Sequence, residues 1–262
     1  MLFLVIIFGL VVGSFLNAVI WRLHTGQSLF ERHSRCPSCN HTLSWRDLIP
    51  LASFFMLKRR CRYCQKPISW QYPLVELATA IAFALAYSVQ RLGHSEESVF
   101  HPLSANNYTL SLQLIFICFL LVIFVYDLKH YLILDKVVLP AAGLAFLYQW
   151  YEGNLENALL GALLLAGFFG LLFLISRGRW IGAGDIKLGI FLGLLVPYPA
   201  TLALFMLAYV LGALVGLVLI ILRNKKLSDR LPFGTFLTFA AFLAMLWGEE
   251  MIAWYFGLIG LR

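Results

Sequence analysis

GALLLAGFFGLLFLISRGRWIGAGDIKLGIFLGLL runs from Gly161 to Leu195. It begins as an unbroken apolar run, stops at Arg177 and Arg179, and becomes apolar again from Leu188. In the gap stands one carboxylate, Asp185, with Gly182 and Gly184 just ahead of it. Apolar runs of about 20 residues cross a hydrocarbon core, and helices are the form in which they do so. The rest of the chain repeats the pattern. Of its 262 residues 61% are apolar and only 13% charged, where a soluble domain carries about 25% charge. The expected fold class is an all-α polytopic membrane protein of about eight transmembrane helices, at 2–21, 73–90, 109–126, 132–150, 157–176, 186–198, 200–222 and 232–259. The sixth is short and glycine-rich. The first lacks a basic n-region and a small-residue cleavage site, and its positive charge follows it, so it reads as a retained helix rather than a signal peptide.

Charge sorts the loops. The net charge is +7. Threading eight spans puts 22–72, 127–131, 177–187 and 223–231 on one side. These carry Arg22, Arg32, Arg35, Arg46, Lys58, Arg59, Arg60, Arg62, Lys66, Lys129, Arg177, Arg179, Lys187, Arg223, Lys225, Lys226 and Arg230, with Lys136 near the same face. The other side receives Arg91 and Arg262 among Glu96, Glu97, Glu152, Glu156, Glu249 and Glu250. Basic loops stay in the cytoplasm, so both termini are expected to be extracytoplasmic. Seven spans would break this sorting. Topology and anionic lipid account for the basic surface, and no nucleic-acid partner is inferred.

The one sizeable polar insertion, 22–72, holds Cys36, Cys39, Cys61 and Cys64 as C-x2-C-x21-C-x2-C. Paired thiolates at this spacing can close a tetrahedral shell around Zn²⁺, and so short a loop needs what a metal supplies. Four reduced thiols or two disulfides are the other readings; disulfides are disfavoured in a cytoplasmic loop. His33 and His41 flank the motif but are surplus to a four-sulfur site. Cys118, in mid-span, reads as a packing residue. No internal repeat is apparent.

Acids at a membrane face are costly and mark function. Asp127 ends the third span in FVYDLKHYLILD, and Asp185 opens the sixth in GAGDIKLG. Both lie at the basic face, where folding can bring them together. Two close carboxylates cannot both ionise easily: one holds a proton while the other acts as base on water, which is amide hydrolysis without a metal. Asp127 at a helix C-terminus is the better proton holder by the helix dipole alone, and Asp185 at an N-terminus the better base. The glycines would let a substrate backbone approach. Asp185 as a simple helix cap, Asp135 as a rival to Asp127 or a partner of Lys136 or Lys129, and an ion or proton pathway remain as alternatives.

GLVVGSFLNAVIWRL at the start, the C-x2-C pair, LIPLASFFMLKRRC, ISWQYPLVELATA, YDLKHYLILD, GAGDIKL and LPFGTFL occur in one order over nearly the whole chain. In this the sequence resembles bacterial type IV prepilin peptidases, the bifunctional leader peptidase/N-methyltransferases of the GxGD aspartic protease class. The resemblance implies an aspartic endopeptidase of the plasma membrane with Asp127 and Asp185 as its catalytic pair and Asp135 outside it. It implies prepilin or pseudopilin substrates, whose short basic leader is cut after a glycine on the cytoplasmic side while their hydrophobic helix stays in the bilayer. Such enzymes serve type IV pili, protein secretion or competence. It also implies N-methylation of the new terminus from S-adenosylmethionine. One departure bears on that second step: the family often has glycine two positions before the third cysteine, and here Arg59 stands there. Glu76 could orient the amine, but a structural role at its helix start is preferred. The expected division is a first helix at 1–21, a zinc-binding domain at 22–72 and a seven-helix peptidase domain at 73–262. Two other classes fit the residues less well: a zinc-ribbon scaffold of a pilus assembly system, for which the acids would be dispensable, and a carboxylate-based transporter, which needs acids at mid-span.

Overall fold

The computed structural model describes residues 1–29, 33–93, 107–222 and 231–258. Arg32, Glu96, Glu97, Arg223, Lys225, Lys226, Arg230 and Arg262 therefore lie outside the described residues. Within these, the helices run α1 Leu2–Thr25, α2 Ala52–Met56, α3 Gln71–Gly93, α4 Asn107–His130, α5 Asp135–Tyr151, α6 Leu155–Ser176, α7 Ala183–Leu195, α8 Ala200–Ile221 and α9 Phe233–Leu258. Pairing of β type is limited, among the described residues, to two isolated bridges.

Each expected span has a helix. Six, namely α1, α3, α4, α6, α8 and α9, are long and apolar enough to cross a membrane. The fourth and sixth expected spans, α5 and α7, have 17 and 13 residues. At 1.5 Å per residue α7 reaches only about 20 Å, short of a core about 30 Å thick. Length and apolarity thus support six crossings, and the count of eight does not follow from them.

The chain divides into two compact units, Met1–Val122 and Ile123–Arg262. In the first, α1 packs on α3 through Gly9 and Gly13, one turn apart on α1. A Cβ on Gly9 would stand 2.7 Å from Ala80 Cα, and one on Gly13 2.6 Å from Glu76 Cα. This is the small-xxx-small contact by which apolar helices approach when lipid offers no hydrophobic gain. One turn on, Asn17 is buried and donates its amide to the Tyr72 carbonyl at 3.0 Å.

In the second unit α7 is the inner helix, contacting α5, α6 and α9. Leu188, Phe191, Leu192, Leu194 and Leu195 are all buried, as expected of a helix apolar around its whole circumference. Its glycines admit α6: a Cβ on Gly189 would lie 3.2 Å from the Ala166 nitrogen, and one on Gly193 would overlap the Gly161–Ala162 backbone. Enclosure on three sides fixes where the N-terminus of α7, with Asp185, must sit.

Gly13→Ala should lower the thermal midpoint in detergent by several degrees, for about 1–3 kcal/mol of overpacking. Gly167→Ala on α6, with nothing within 4 Å of its added carbon, should leave it unchanged or raise it. Equal midpoints would show that the α1–α3 contact tolerates a methyl group.

Candidate active site and metal centre

Asp127 lies in the last turn of α4 and is 4% exposed. A buried carboxylate needs donors, and α9 brings them. The Thr235 backbone N–H donates to Asp127 Oδ2 at 2.7 Å and the Thr235 hydroxyl to the same oxygen at 3.0 Å. Asp127 therefore occupies the acceptor position at the start of α9, where free N–H groups and the helix dipole favour an anion. The expectation that Asp127 meets only the unfavourable end of its own helix omits this second helix, so the dipole argument no longer singles it out as proton holder.

Asp185 is the third residue of α7, not its cap; Gly182 occupies the cap position. The Asp185 carboxylate reaches back to accept the Gly182 N–H at 3.1 Å, while the Asp185 N–H donates to the Gly182 carbonyl, also at 3.1 Å. The half-buried carboxylate feels the charge of Asp127. Two helix N-termini, those of α7 and α9, thus each hold one of the two acids.

Ile133 fits between them. A Cβ on Gly184 would stand 3.1 Å from Ile133 Cβ, and one on Gly234 would stand 3.3 Å from Ile133 Cδ1 and 2.9 Å from Asp127 Oδ2. The room left by Gly184 is therefore filled by Ile133 and not kept for a substrate. Only Gly182, exposed and clear of other residues except Asp185 and Gly184, keeps open space. Tyr209 of α8 also lies within electrostatic reach of Asp185, its ring against Phe205 and Phe233. Asp135 opens α5 and turns outward, where its carboxylate accepts the Lys187 ammonium at 2.7 Å with both side chains substantially exposed. Lys187 is thus a partner of Asp135 that the sequence reading did not name.

The four cysteines converge in the first unit. Their sulfurs all lie within 4.8 Å of one another, and those of Cys36 and Cys64 are 4.0 Å apart. Four sulfurs 2.3 Å from a common ion would be about 3.8 Å apart, so the cage fits a metal. His33 and His41 are not in the cluster; His41 stacks its ring 3.7 Å from that of Tyr63. No disulfide joins the cysteines, and Cys118 is half-buried in α4. Burial pushes the Cys36 thiol up, but the N–H groups of Ser38 and Cys39 outweigh it and bring it down to about 7. At Cys39 the His41 N–H favours the thiolate, but desolvation and the Cys36 and Cys64 sulfurs outweigh it and push that thiol up to about 11. Four thiolates so close together require a cation to coexist.

The two cysteine pairs sit on turns that repeat each other bond for bond, an internal repeat that composition hides. Cys36 N–H donates to the His41 carbonyl and Cys61 N–H to Lys66; Asn40 N–H donates to Cys36 and Gln65 N–H to Cys61; Leu43 N–H donates to Ser34 and Ile68 N–H to Arg59. Asn40 and Gln65 are both left-handed, at φ 56° and 58°. Asp47, unremarked in the sequence, links the halves. Its carboxylate accepts the Ser44 hydroxyl at 2.9 Å, Arg62 Nε at 2.8 Å and the Tyr63 hydroxyl at 3.1 Å. Burial raises this carboxyl, but the bonds from Ser44, Arg62 and Tyr63 more than offset it and hold it below its ordinary value. The signal was present as Ser-x-x-Asp, a capping box.

Arg59 is left-handed, at φ 62°, with its guanidinium 5.0 Å above the Trp70 ring. That conformation is free to glycine and costs other residues about 1 kcal/mol. Nearby, Glu76 is buried on α3 and accepts the Leu51 N–H at 2.8 Å; Leu51 also has a positive φ, 57°. Such a contact serves the structural role preferred for Glu76.

Comparison with known proteins places these features. Residues 7–90 match the Bacterial Peptidase A24 N-terminal domain, and residues 114–217 match the Type IV leader peptidase family. The chain is 32% identical to a prepilin leader peptidase/N-methyltransferase of Aeromonas hydrophila, over 96% of this chain and 92% of that one. It is 33% identical to the Aeromonas salmonicida protein of that name, over 98% and 94%, and 32% identical to the Bacillus subtilis one, over 97% and 98%. No solved structure matches it. A helical membrane peptidase is thus the class, and the chain belongs to the prepilin leader peptidase/N-methyltransferase family.

Asp47→Ala should loosen the cysteine turns without touching a sulfur. Losing charge-assisted bonds worth about 1–2 kcal/mol, loaded protein should yield its metal to a chelator about tenfold faster at pH 7. Because this carboxyl is held below its ordinary value, its contribution is complete at neutral pH and fades only as pH falls through the folded-state value. An unchanged release rate would deny Asp47 this role.

Proposed function

We propose that the chain is an aspartic endopeptidase of prepilins, with Asp127 and Asp185 as its catalytic pair. The observation that carries this reading is that two carboxylates from distant segments, each received by a helix N-terminus, sense each other's charge in one compact unit. One acid is ionised and takes a proton from water as the oxygen attacks the scissile carbonyl carbon. The other, protonated, gives its proton to the carbonyl oxygen. Collapse of the tetrahedral adduct then breaks the C–N bond, and the proton taken from water goes to the departing amine. Residual sharing of the proton makes the two acids one titrating unit. Neither step needs a metal.

The substrate is a prepilin or pseudopilin with a basic leader and a hydrophobic helix that stays in the bilayer. The sided basic loops support an inner-membrane, multi-pass protein of eight crossings with both termini extracytoplasmic and both centres at the cytoplasmic face. The assigned division remains 1–21, 22–72 and 73–262. Four soft thiolate ligands in paired C-x2-C turns favour Zn²⁺ as the ion of the cage, where it holds the loop together. The relatives' second activity supports N-methylation of the new terminus, with S-adenosylmethionine as methyl donor. Left-handed Arg59, its guanidinium over the Trp70 ring, stands where the family often has glycine.

Asp127→Asn and Asp185→Asn should each abolish leader removal from a co-expressed prepilin, read as a mobility shift, with membrane insertion intact. Asp135→Asn loses an exposed ion pair worth about 0–1 kcal/mol and should retain substantial activity. Cleavage by either of the first two variants would end the pair assignment, and would favour a scaffold in which the acids are dispensable. Arg59→Gly removes both the strained conformation and a cation–π contact of similar size, so stability should change little. Mass spectrometry of the mature pilin terminus then reads whether methylation rises.

A further inference from the structure

We propose that Thr235 is a positioning residue for peptide cleavage: its hydroxyl and its own N–H together hold Asp127 Oδ2, so that Oδ1 is the oxygen that exchanges the proton. This rests on the reading of Asp127 as one of the catalytic pair.

The start of α9 is built to receive a carboxylate from elsewhere. The residue ahead of the helix, Pro232, has no side-chain acceptor, so the first N–H groups of α9 lack a local cap. Asp127 fills that position from a segment 108 residues away. Gly234 makes the approach possible, since a Cβ there would stand 2.9 Å from Oδ2 and 3.1 Å from Cγ. Thr238, also buried, fastens the turn by donating to the carbonyls of Gly234 at 2.8 Å and Thr235 at 3.0 Å.

A cap needs one donor. Thr235 supplies two, and both fall on one oxygen, at 2.7 and 3.0 Å. The chemistry of the carboxyl gives that redundancy a use. A proton on Oδ2 would oppose the fixed N–H and oblige the hydroxyl to turn over from donor to acceptor. A proton on Oδ1 leaves Oδ2 an acceptor, and both bonds persist. The pair of bonds therefore survives each protonation state in the cycle, and the carboxyl plane need not turn when the proton arrives or leaves. Removing the hydroxyl leaves the N–H as a hinge about which the carboxyl can rotate. The expected loss is then in the chemical step and not in substrate binding.

The test uses the full-length protein purified in detergent with a prepilin as substrate, measuring kcat, KM and the thermal midpoint. Thr235→Val keeps the side-chain shape and the N–H but removes the hydroxyl. It should lower kcat about tenfold with KM within about twofold and the midpoint unchanged. Thr235→Ser restores the hydroxyl and should recover most of kcat. If the valine variant does not fold, Thr235→Ala removes the same group and must show the same split. Parental kcat in the valine or alanine variant, or a serine variant as slow as valine, overturns the proposal. Asp127→Asn is measured alongside. An inactive asparagine variant beside a fully active valine variant removes only the role of Thr235, whereas an active asparagine variant removes the catalytic pair itself.

Discussion

The satisfaction of one buried carboxylate organises the second half of the chain. Asp127 is almost sealed from solvent, and an unpaired acid there would cost several kcal/mol. The donors come from the first turn of α9, which itself lacks a cap. Each element resolves the other's deficit, and the resulting bond fixes where α9 begins relative to the end of α4. Ile133, on the short link between α4 and α5, then packs against Gly234 and Gly184 together, which relates the start of α9 to that of α7. The enclosed α7 has little freedom to answer differently. A polar requirement at one atom thus propagates through apolar packing to the placement of the second acid.

The first unit solves a different problem. Its helices α1 and α3 can associate through close backbone approach, but residues between them have too little apolar mass for a core. Cys36, Cys39, Cys61 and Cys64 substitute coordination for burial, and Asp47 adds a polar brace from outside the cage. The two solutions share a feature: side chains that would repel one another alone are held together by cationic or partially positive groups. In the peptidase unit these are helix N-termini; in the loop the cage is shaped for an ion.

Much of this was legible in sequence because apolar run length and cysteine spacing are local. Each of the eight expected spans meets a helix, and the four sulfurs gather as their spacing implied. The limits of the sixth span shifted from 186–198 to Ala183–Leu195 because Gly182 begins the helix ahead of the apolar run. That shift moves Asp185 from a cap to the third position. What local pattern could not carry were partnerships between distant segments. LPFGTFL reads as a family motif, yet nothing in it announces that Thr235 serves Asp127. Tyr209, a lone polar ring in an aliphatic helix, and Asp47, in a capping box, did leave signals. The meaning of Gly184 was misread because its neighbour, Ile133, is contributed by another segment.

The duplicated cysteine turns have a topological consequence. Clamped by a common ion, they would convert residues 40–60 into a closed ring with a narrow neck. The entropy of closing such a ring grows only with the logarithm of its length, so additions to its rim would scarcely disturb the neck. The rim is also where Leu51 reaches Glu76 and Arg59 covers Trp70. The stretch most free to vary in length is thus the one that carries Leu51 to Glu76 on α3, while the neck is held by its own turns and by the brace of Asp47.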